Sequence, residues 1–207
     1  YVKGPLKISK SQYFCYINFK LMKKKTKKIK TKIKVQFRKN KKIFNKKIND
    51  FFDWVKGAEL VSLKECDTTE DPVRPELDND FRTSYGRKIY GVKYKNEIHA
   101  IMCFAFTNYI PKTVKDLDNF SKDAFLQSAL RDQKVGKIAI AYTVWSKKKG
   151  GGKLIVKEVF KMIKKSNHLN RLITLSPLTE MATKFHLRNK AKLISVNETT
   201  QNFEYTK

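Results

Sequence analysis

The sequence predicts an α/β fold, and three stretches in its second half carry that prediction. Residues 138–145 are an apolar run of strand length with many β-branched and aromatic side chains. A basic turn with three glycines follows, after which residues 154–165 place apolar side chains at helical spacing. A second apolar run at 172–175 stands directly before Ser176 and Pro177. Strand and helix patterns therefore alternate along this half of the chain.

The patterns elsewhere supply the other elements of one domain. Short apolar runs predict strands, and helical spacing behind Thr113, a good N-cap residue, predicts a helix. In chain order we expect strands at 59–63, 88–92 and 100–106, a helix at 114–131, a short helix at 180–189, and closing strands at 191–196 and 202–205.

The basic turn between the strand and the helix contains Gly150, Gly151 and Gly152. Glycines let the backbone point free N–H groups at a ligand without interference from Cβ, and a helix N-terminus adds positive potential, so this turn favours a phosphate group. The flanking lysines strengthen the preference: Lys147, Lys148, Lys149 and Lys153. The alternative interpretation is a flexible, glycine-rich loop with a solvated basic rim.

The turn resembles the pyrophosphate loop of the GNAT acyltransferase superfamily. That loop reads Gln or Arg, two residues, Gly, one residue, then Gly or Ala, and residues 147–152 match it with lysine at the first position. The resemblance implies a GNAT-like fold, in which helices flank a mixed, mostly antiparallel central sheet. It also implies that the loop binds a coenzyme A thioester as substrate, together with the strand residues Thr143, Val144 and Trp145.

Within that superfamily, the chain is similar to the catalytic domain of malonyl-CoA decarboxylase in several blocks that occur in the same order. The most specific blocks are residues 174–178, 185–191 and 202–205, which resemble the family's Thr-Leu-Ser-Pro-Ile-Pro, Phe-His-Leu-x-Asn-Gly-Ala and Asn-Tyr-x-Tyr segments. Residues 72–75, 104–111 and 139–146 are also similar, the first of them least. The family's long insertion between the serine and histidine motifs is missing here, and Lys190 replaces a glycine.

The resemblance implies that Ser176 and His186 are the catalytic residues, and that malonyl-CoA is converted to acetyl-CoA and carbon dioxide without a metal. His186 would donate a proton to the enolate carbon, and the Ser176 hydroxyl would orient the malonyl carboxylate. Independently of the family, a histidine titrates near neutral pH and can deliver a proton. The simpler interpretation is a structural histidine at a helix end and a serine in a strand-ending turn.

A GNAT N-acetyltransferase, which moves an acetyl group from acetyl-CoA to an amine, is the main alternative. It is favoured by the compact glycine turn, by the missing insertion and by the acidic, proline-marked stretch at 67–80. Those carboxylates could attract a cationic amine. A stretch of this composition is more often a solvated loop.

Residues 1–48 form a lysine-rich arm that we expect to precede a GNAT-like domain at 49–207. The arm supplies most of the net charge of +27, because it carries 18 basic residues and no acid, against 28 basic and 19 acidic residues in the rest. Alternating apolar and basic residues at 28–38 predict an edge strand, whereas repulsion between like charges favours disorder.

Such an arm could bind nucleic acid or an anionic surface, so a nucleic-acid-binding protein is a second alternative function. A lysine-rich coding background would produce the same composition without any function.

The cysteines and the hydropathy indicate the cellular compartment in which the protein is expected. Cys15, Cys66 and Cys103 are odd in number and lack metal-ligand spacing, which suggests reduced thiols in the cytoplasm. No apolar run reaches membrane-spanning length. His99 and His168 lie outside any motif, and we expect both to be structural.

Overall fold

The computed structural model describes residues 32, 36, 38–131 and 134–206. The chain divides into two compact units, Tyr1–Lys56 and Gly57–Lys207. The division lies eight residues beyond the boundary expected from composition, because a helix continues through that boundary. None of the helices in the described part of the chain is long and apolar enough to span a bilayer.

The first unit contains helix α1, which covers residues 38–57. The sequence prediction of a disordered arm or an edge strand is wrong for the described part of the arm, since Lys32 and Gln36 are also helical. Apolar residues at Phe44, Ile48 and Phe51 have the i, i+4, i+7 spacing of a helix face. The other residues of the expected edge strand, and Cys15, lie outside the described residues.

The second unit is built on a sheet of eight strands in the order β1-β2-β3-β4-β5-β8-β6, with β7 paired to β8. Pairing is antiparallel except between β4 and β5. The strands are β1 (Glu59–Leu63), β2 (Lys88–Tyr94), β3 (Glu97–Thr107), β4 (Ile138–Ser146), β5 (Arg171–Thr174), β6 (Ser176–Pro177), β7 (Lys192–Val196) and β8 (Thr200–Tyr205). The expected mixed, mostly antiparallel sheet is confirmed.

Four helices of this unit connect the strands. They are α2 (Asn79–Thr83), α3 (Val114–Arg131), α4 (Gly151–Lys165) and α5 (Glu180–Arg188). The expected N-cap of α3 is confirmed, because Thr113 Oγ1 accepts a hydrogen bond from the N–H of Asp116 at 3.0 Å. The element order expected from the GNAT resemblance is confirmed as well. The short helix α2 and the two-residue strand β6 were not predicted.

The core of the sheet unit lies along the middle strands. Alternate side chains of β3, β4 and β5 point to one face of the sheet and are buried there. They include Ile101, Cys103, Ile140, Tyr142 and Ile173. Helix α4 covers strands β3 and β4 with an apolar stripe that includes Ile155, Val159 and Ile163. This packing fixes the ends of β4 and β5, where the candidate site is found.

The second residue after helix α5 has an uncommon backbone conformation. Lys190 has φ +67°, in the left-handed region where a side chain is strained and where helices usually place glycine. Replacing Lys190 with glycine should therefore stabilise the protein by about 1 kcal/mol in urea unfolding. The matched change Lys184→Gly, inside α5, should destabilise it by about 1 kcal/mol. A loss of stability in Lys190→Gly would contradict this explanation.

Candidate functional site

Strands β4 and β5 separate at the centre of the sheet. Their parallel pairing runs from Ile138 to Ala141 on β4 and from Arg171 to Thr174 on β5. One more hydrogen bond, from the N–H of Leu175 to Ala141 O, closes the paired stretch. The chain then turns aside as β6, where Ser176 pairs with Gln201 of β8. The second half of β4 therefore borders an opening rather than continuing beside β5.

A buried arginine bridges this opening. Arg74 Nε donates to Tyr142 O at 3.1 Å, and Arg74 Nη2 donates to Leu175 O at 3.3 Å. One guanidinium thus satisfies a carbonyl of each separated strand, which neither strand does for the other. Burial lowers the pKa of Arg74.

An ion pair behind Arg74 fixes the segment that carries it. Asp71 accepts hydrogen bonds from the Thr143 hydroxyl at 2.8 Å and from Arg82 Nη2 at 2.9 Å, with both side chains of the Asp71–Arg82 pair fully buried. Arg82 also donates to the carbonyl of Arg74 at 2.8 Å. The acidic stretch at 67–80, interpreted from sequence as a solvated loop, therefore contributes one of its carboxylates to the interior.

Ser176 and His186, the two residues singled out by the motif resemblance, lie side by side at the opening. Ser176 Oγ lies 2.7 Å from His186 Nε2, and both residues are 5% exposed. His186 Nδ1 lies 2.9 Å from the Tyr205 hydroxyl, so both ring nitrogens are hydrogen-bonded. Ser176 Oγ also donates to Thr174 Oγ1 at 3.2 Å. Ser176 of β6, His186 of α5 and Tyr205 of β8 therefore form a continuous chain of hydrogen bonds.

Packing holds the imidazole of His186 in place. Its ring is stacked on Phe203 of β8, with centroids 4.8 Å apart and planes inclined by 28°. Phe185 contacts it edge-on from the neighbouring position of α5. Burial lowers the pKa of His186 to about 4 and raises the pKa of Tyr205. At neutral pH the imidazole of the free protein is consequently uncharged.

A cavity of about 310 Å³ lies beside this hydrogen-bond chain. Its lining includes Ser176, His186 and Tyr205 on one side and the three β4 residues expected to bind substrate, Thr143, Val144 and Trp145, on the other. Most of the lining is apolar. Among the described residues that line the cavity, none is a lysine or an arginine.

The glycine turn stands at the mouth of the cavity. Gly150 precedes α4 with φ +86°, and no side chain caps the helix, so the N–H groups of its first turn have no side-chain acceptor. Gly152 lines both the cavity and an adjoining groove of about 700 Å³. Three basic residues line that groove: Lys153, Lys184 and Arg188. Of these, Lys184 and Arg188 come from α5 and were not identified from the sequence.

The lysines before the glycines point elsewhere. Lys147 Nζ forms an ion pair with Glu70 at 2.6 Å, and Lys148 Nζ lies 5.0 Å from the centroid of the Tyr94 ring. Lys149 is exposed. Of the four lysines predicted from the sequence to form a basic rim, only Lys153 lines the described groove. The other two cations of the groove, Lys184 and Arg188, come from α5.

The remaining histidines and cysteines have structural surroundings. His168 Nε2 lies 2.7 Å from Gly136 O and 3.1 Å from Val135 O. His99 lies within β3, as expected. Cys103 is buried and accepts a hydrogen bond from Arg82 Nη1 at 3.3 Å, and Cys66 is partly buried. None of these residues lines the cavity.

Gly152 offers a direct test of the groove. A Cβ at this position would lie 3.1 Å from the Phe185 ring, and the branches of a valine would extend into the path between α4 and α5. We expect Gly152→Val to raise the Kd for coenzyme A at least about tenfold in calorimetric titration. Lys149→Ala, in the same turn, should change it by less than about twofold. An unchanged Kd in Gly152→Val would contradict the assignment of this turn.

The buried neutral His186 also predicts a pH dependence of stability. Its pKa is about 4 in the folded protein against 6.5 for an ordinary histidine, so the unfolded chain binds more protons between these values. The stabilisation present above pH 6.5 should be lost as the pH falls toward 4, by about 3 kcal/mol. Urea unfolding at several pH values should show this loss in the wild type and a smaller loss in His186→Gln. Equal pH dependence in the two proteins would contradict it.

Solved structures similar to this chain include acetyltransferases. An acetyltransferase of Bacillus subtilis in complex with CoA aligns with 71% of this chain and 95% of its own, at 9% identity and a TM-score of 0.47. An N-acetyltransferase of Campylobacter jejuni in complex with acetyl coenzyme A aligns with 72% and 99%, at 14% identity and a TM-score of 0.41. No family model matches the chain, and no curated protein matches it.

A malonyl-CoA decarboxylase of Cupriavidus metallidurans is also similar. It aligns with 60% of this chain at 20% identity and a TM-score of 0.39. The present chain spans 31% of the length of that decarboxylase chain.

Proposed function

We propose that this chain is an acyl-CoA enzyme of the GNAT superfamily and that it decarboxylates malonyl-CoA. The observation that carries the proposal is the 2.7 Å contact between Ser176 Oγ and His186 Nε2 at the wall of a cavity beside the separated strands. Both residues were singled out from motifs typical of the decarboxylase family, and their side chains are adjacent in space. Coenzyme A would enter along the groove next to the cavity.

The groove has the chemistry needed for the pyrophosphate of coenzyme A. The uncapped first turn of α4 offers backbone N–H groups, and the helix N-terminus adds positive potential. Lys153 and Arg188 add cations along the same groove, and Lys184 lies there in an ion pair with Glu180, which also lines it. With the pyrophosphate at this end, the acyl group would extend past Gly152 into the cavity.

The cavity supports loss of carbon dioxide because it offers the malonyl carboxylate little compensation. Its described lining is mainly apolar and has no lysine or arginine, so a carboxylate placed there is poorly solvated. The charge becomes more dispersed as the C–C bond breaks and the electrons move to the thioester carbonyl. Backbone N–H groups between Thr143 and Trp145 are the proposed donors to the enolate oxygen. The Ser176 hydroxyl would turn from Thr174 to the departing carboxylate and orient it by hydrogen bonding.

The proton comes from His186. The imidazole is neutral in the free protein, but a malonyl carboxylate within hydrogen-bond reach of Ser176 raises its pKa, so the substrate binds together with a proton. After carbon dioxide leaves, the imidazolium gives this proton to the enolate carbon, which yields acetyl-CoA and restores the neutral ring. Tyr205, at 2.9 Å from Nδ1, holds the ring in the orientation that points Nε2 at the cavity.

An N-acetyltransferase is the second candidate, and Glu70 is the observation that favours it. This carboxylate lines the cavity and could attract a cationic amine or accept its proton. It is already paired with Lys147 at 2.6 Å, and this compensation of its charge weakens its attraction for a cationic amine. The decarboxylase proposal requires no acceptor.

The test is to incubate the purified chain with malonyl-CoA without an amine and to follow acetyl-CoA by mass spectrometry, with free thiol measured in parallel. A decarboxylase yields acetyl-CoA and no free thiol, and Ser176→Ala should yield much less than the matched variant Ser128→Ala. Intact malonyl-CoA, together with amine-dependent thiol release from acetyl-CoA, would favour the acetyltransferase and overturn the decarboxylase proposal.

A further inference from the structure

Helix α1 carries an apolar stripe that is open to solvent between residues 43 and 52, whereas Trp54 is buried and Val55 half-buried. Phe44, Ile48 and Phe51 follow one another at i, i+4 and i+7, so they form one stripe, and they are 63%, 37% and 49% exposed. Ile43 and Phe52 widen the stripe on its two sides, at 48% and 54% exposed. Five large apolar side chains on one short helix form a patch of the kind that marks an interaction site.

The opposite side of α1 is basic. Lys39, Lys42 and Lys46 recur at i, i+3 and i+7, away from the apolar stripe. Residues 38–57 carry seven basic side chains against two acidic ones, Asp50 and Asp53. By the same spacing, Lys41 and Lys47 flank the stripe of Phe44, Ile48 and Phe51. The helix therefore combines an apolar stripe bordered by lysines with an opposite lysine-rich face and a strong net positive charge.

This combination selects among partners. A nucleic-acid duplex would be attracted by the lysines but gives the phenylalanines nothing to bury into, because its outer surface is phosphate. A single strand offers separate bases for stacking but no continuous apolar layer that would cover all five side chains. A bilayer-spanning role does not fit a helix with this many charges. An anionic lipid surface satisfies both faces, since lysines remain among the headgroups while aromatic and aliphatic side chains enter the acyl boundary.

We propose that α1 is a membrane-surface anchor, which lies in the plane of an anionic bilayer with Phe44, Phe51 and Phe52 inserted below the headgroups. The inference rests on α1 alone and is independent of the reaction proposed above. It assigns the basic character of this region to lipid binding.

The test uses the full chain and co-sedimentation with large unilamellar vesicles of phosphatidylcholine and phosphatidylserine at a 3:1 ratio. We expect wild-type protein to bind these vesicles and to bind pure phosphatidylcholine vesicles much less. The triple variant Phe44→Ser, Phe51→Ser, Phe52→Ser should lose at least about tenfold in partitioning, because the acyl contact is removed while every charge remains. A matched triple variant in the other unit, Tyr109→Ser, Leu126→Ser, Leu130→Ser, should bind as wild type does.

Retained binding by the phenylalanine triple variant would overturn the proposal, since lysine charge alone would then account for it. Preferential binding to a short DNA duplex over the anionic vesicles would also overturn it, in favour of a nucleic-acid partner. Salt gives a check on the wild type that needs no variant. In 0.5 M salt, electrostatic attraction between surface charges extends over only about 4 Å. Apolar insertion should still leave measurable vesicle binding under this condition. Complete loss of binding there would contradict insertion of the phenylalanines.

Discussion

Replacing His186 with alanine is expected to lower the turnover of malonyl-CoA by about 10²- to 10⁴-fold. In the proposed mechanism the ring donates the proton at the cavity wall, and Ser176 and Tyr205 lose a shared partner when it is removed. The Kd for coenzyme A should change by less than about threefold, because the groove proposed to hold the pyrophosphate is lined by other residues. Single-turnover kinetics with calorimetry measures both quantities.

His168→Gln is the matched control for that experiment. His168 is bonded to backbone carbonyls and does not line the cavity, so its replacement should leave turnover within about twofold. Tyr205→Phe should give an intermediate loss, because it removes the hydroxyl at Nδ1 but leaves the ring that packs near His186. Normal turnover of malonyl-CoA in His186→Ala would refute His186 as the proton donor.

Replacing Arg82 with methionine is expected to destabilise the protein by about 3–5 kcal/mol. The change leaves the Asp71 carboxylate buried without its cation, and it removes the donor to the carbonyls of Leu77 and Arg74. Urea unfolding followed by circular dichroism measures the effect. Lys184→Met breaks the exposed pair with Glu180 and should cost less than about 1 kcal/mol.

The double variant Asp71→Leu, Arg82→Met separates the ion pair from the burial of a lone charge. If the loss in Arg82→Met comes from the uncompensated carboxylate, removing Asp71 as well should recover part of the stability. An equal or larger loss in the double variant would instead assign the effect to the hydrogen bonds that hold residues 71–75 beside β4.

Much of the sheet could be predicted because its strands are apolar runs bounded by turns. The bounds of β1 and α3 agree with the prediction, and β4 agrees to within one residue. Ser176 and His186 could be named from their motifs, whose order along the chain is visible without a structure. Tyr205 ends the third specific motif, at 202–205, but nothing in the sequence indicates that its hydroxyl reaches the far ring nitrogen of His186.

Other features depend on partners that a single sequence does not reveal. Asp71 stands among exposed acids, and only its meeting with Arg82 and Thr143 explains why this one is buried. The lysines of the glycine turn look alike in sequence, yet Glu70 and Tyr94 draw two of them away from the groove. In the arm, the high lysine content favoured a prediction of disorder, although the phenylalanines between the lysines have helical spacing.

Arg74 gives the site a property that neither strand could supply. Its guanidinium bridges the carbonyls of Tyr142 and Leu175, so the protein's own hydrogen bonds hold the strands apart. For the proposed coenzyme A substrate, we expect binding that breaks no backbone hydrogen bond between β4 and β5, and an association rate set by diffusion into the groove. A guanidinium also keeps its charge at any pH the folded protein survives, so acidification changes the proton on His186 without closing the entrance.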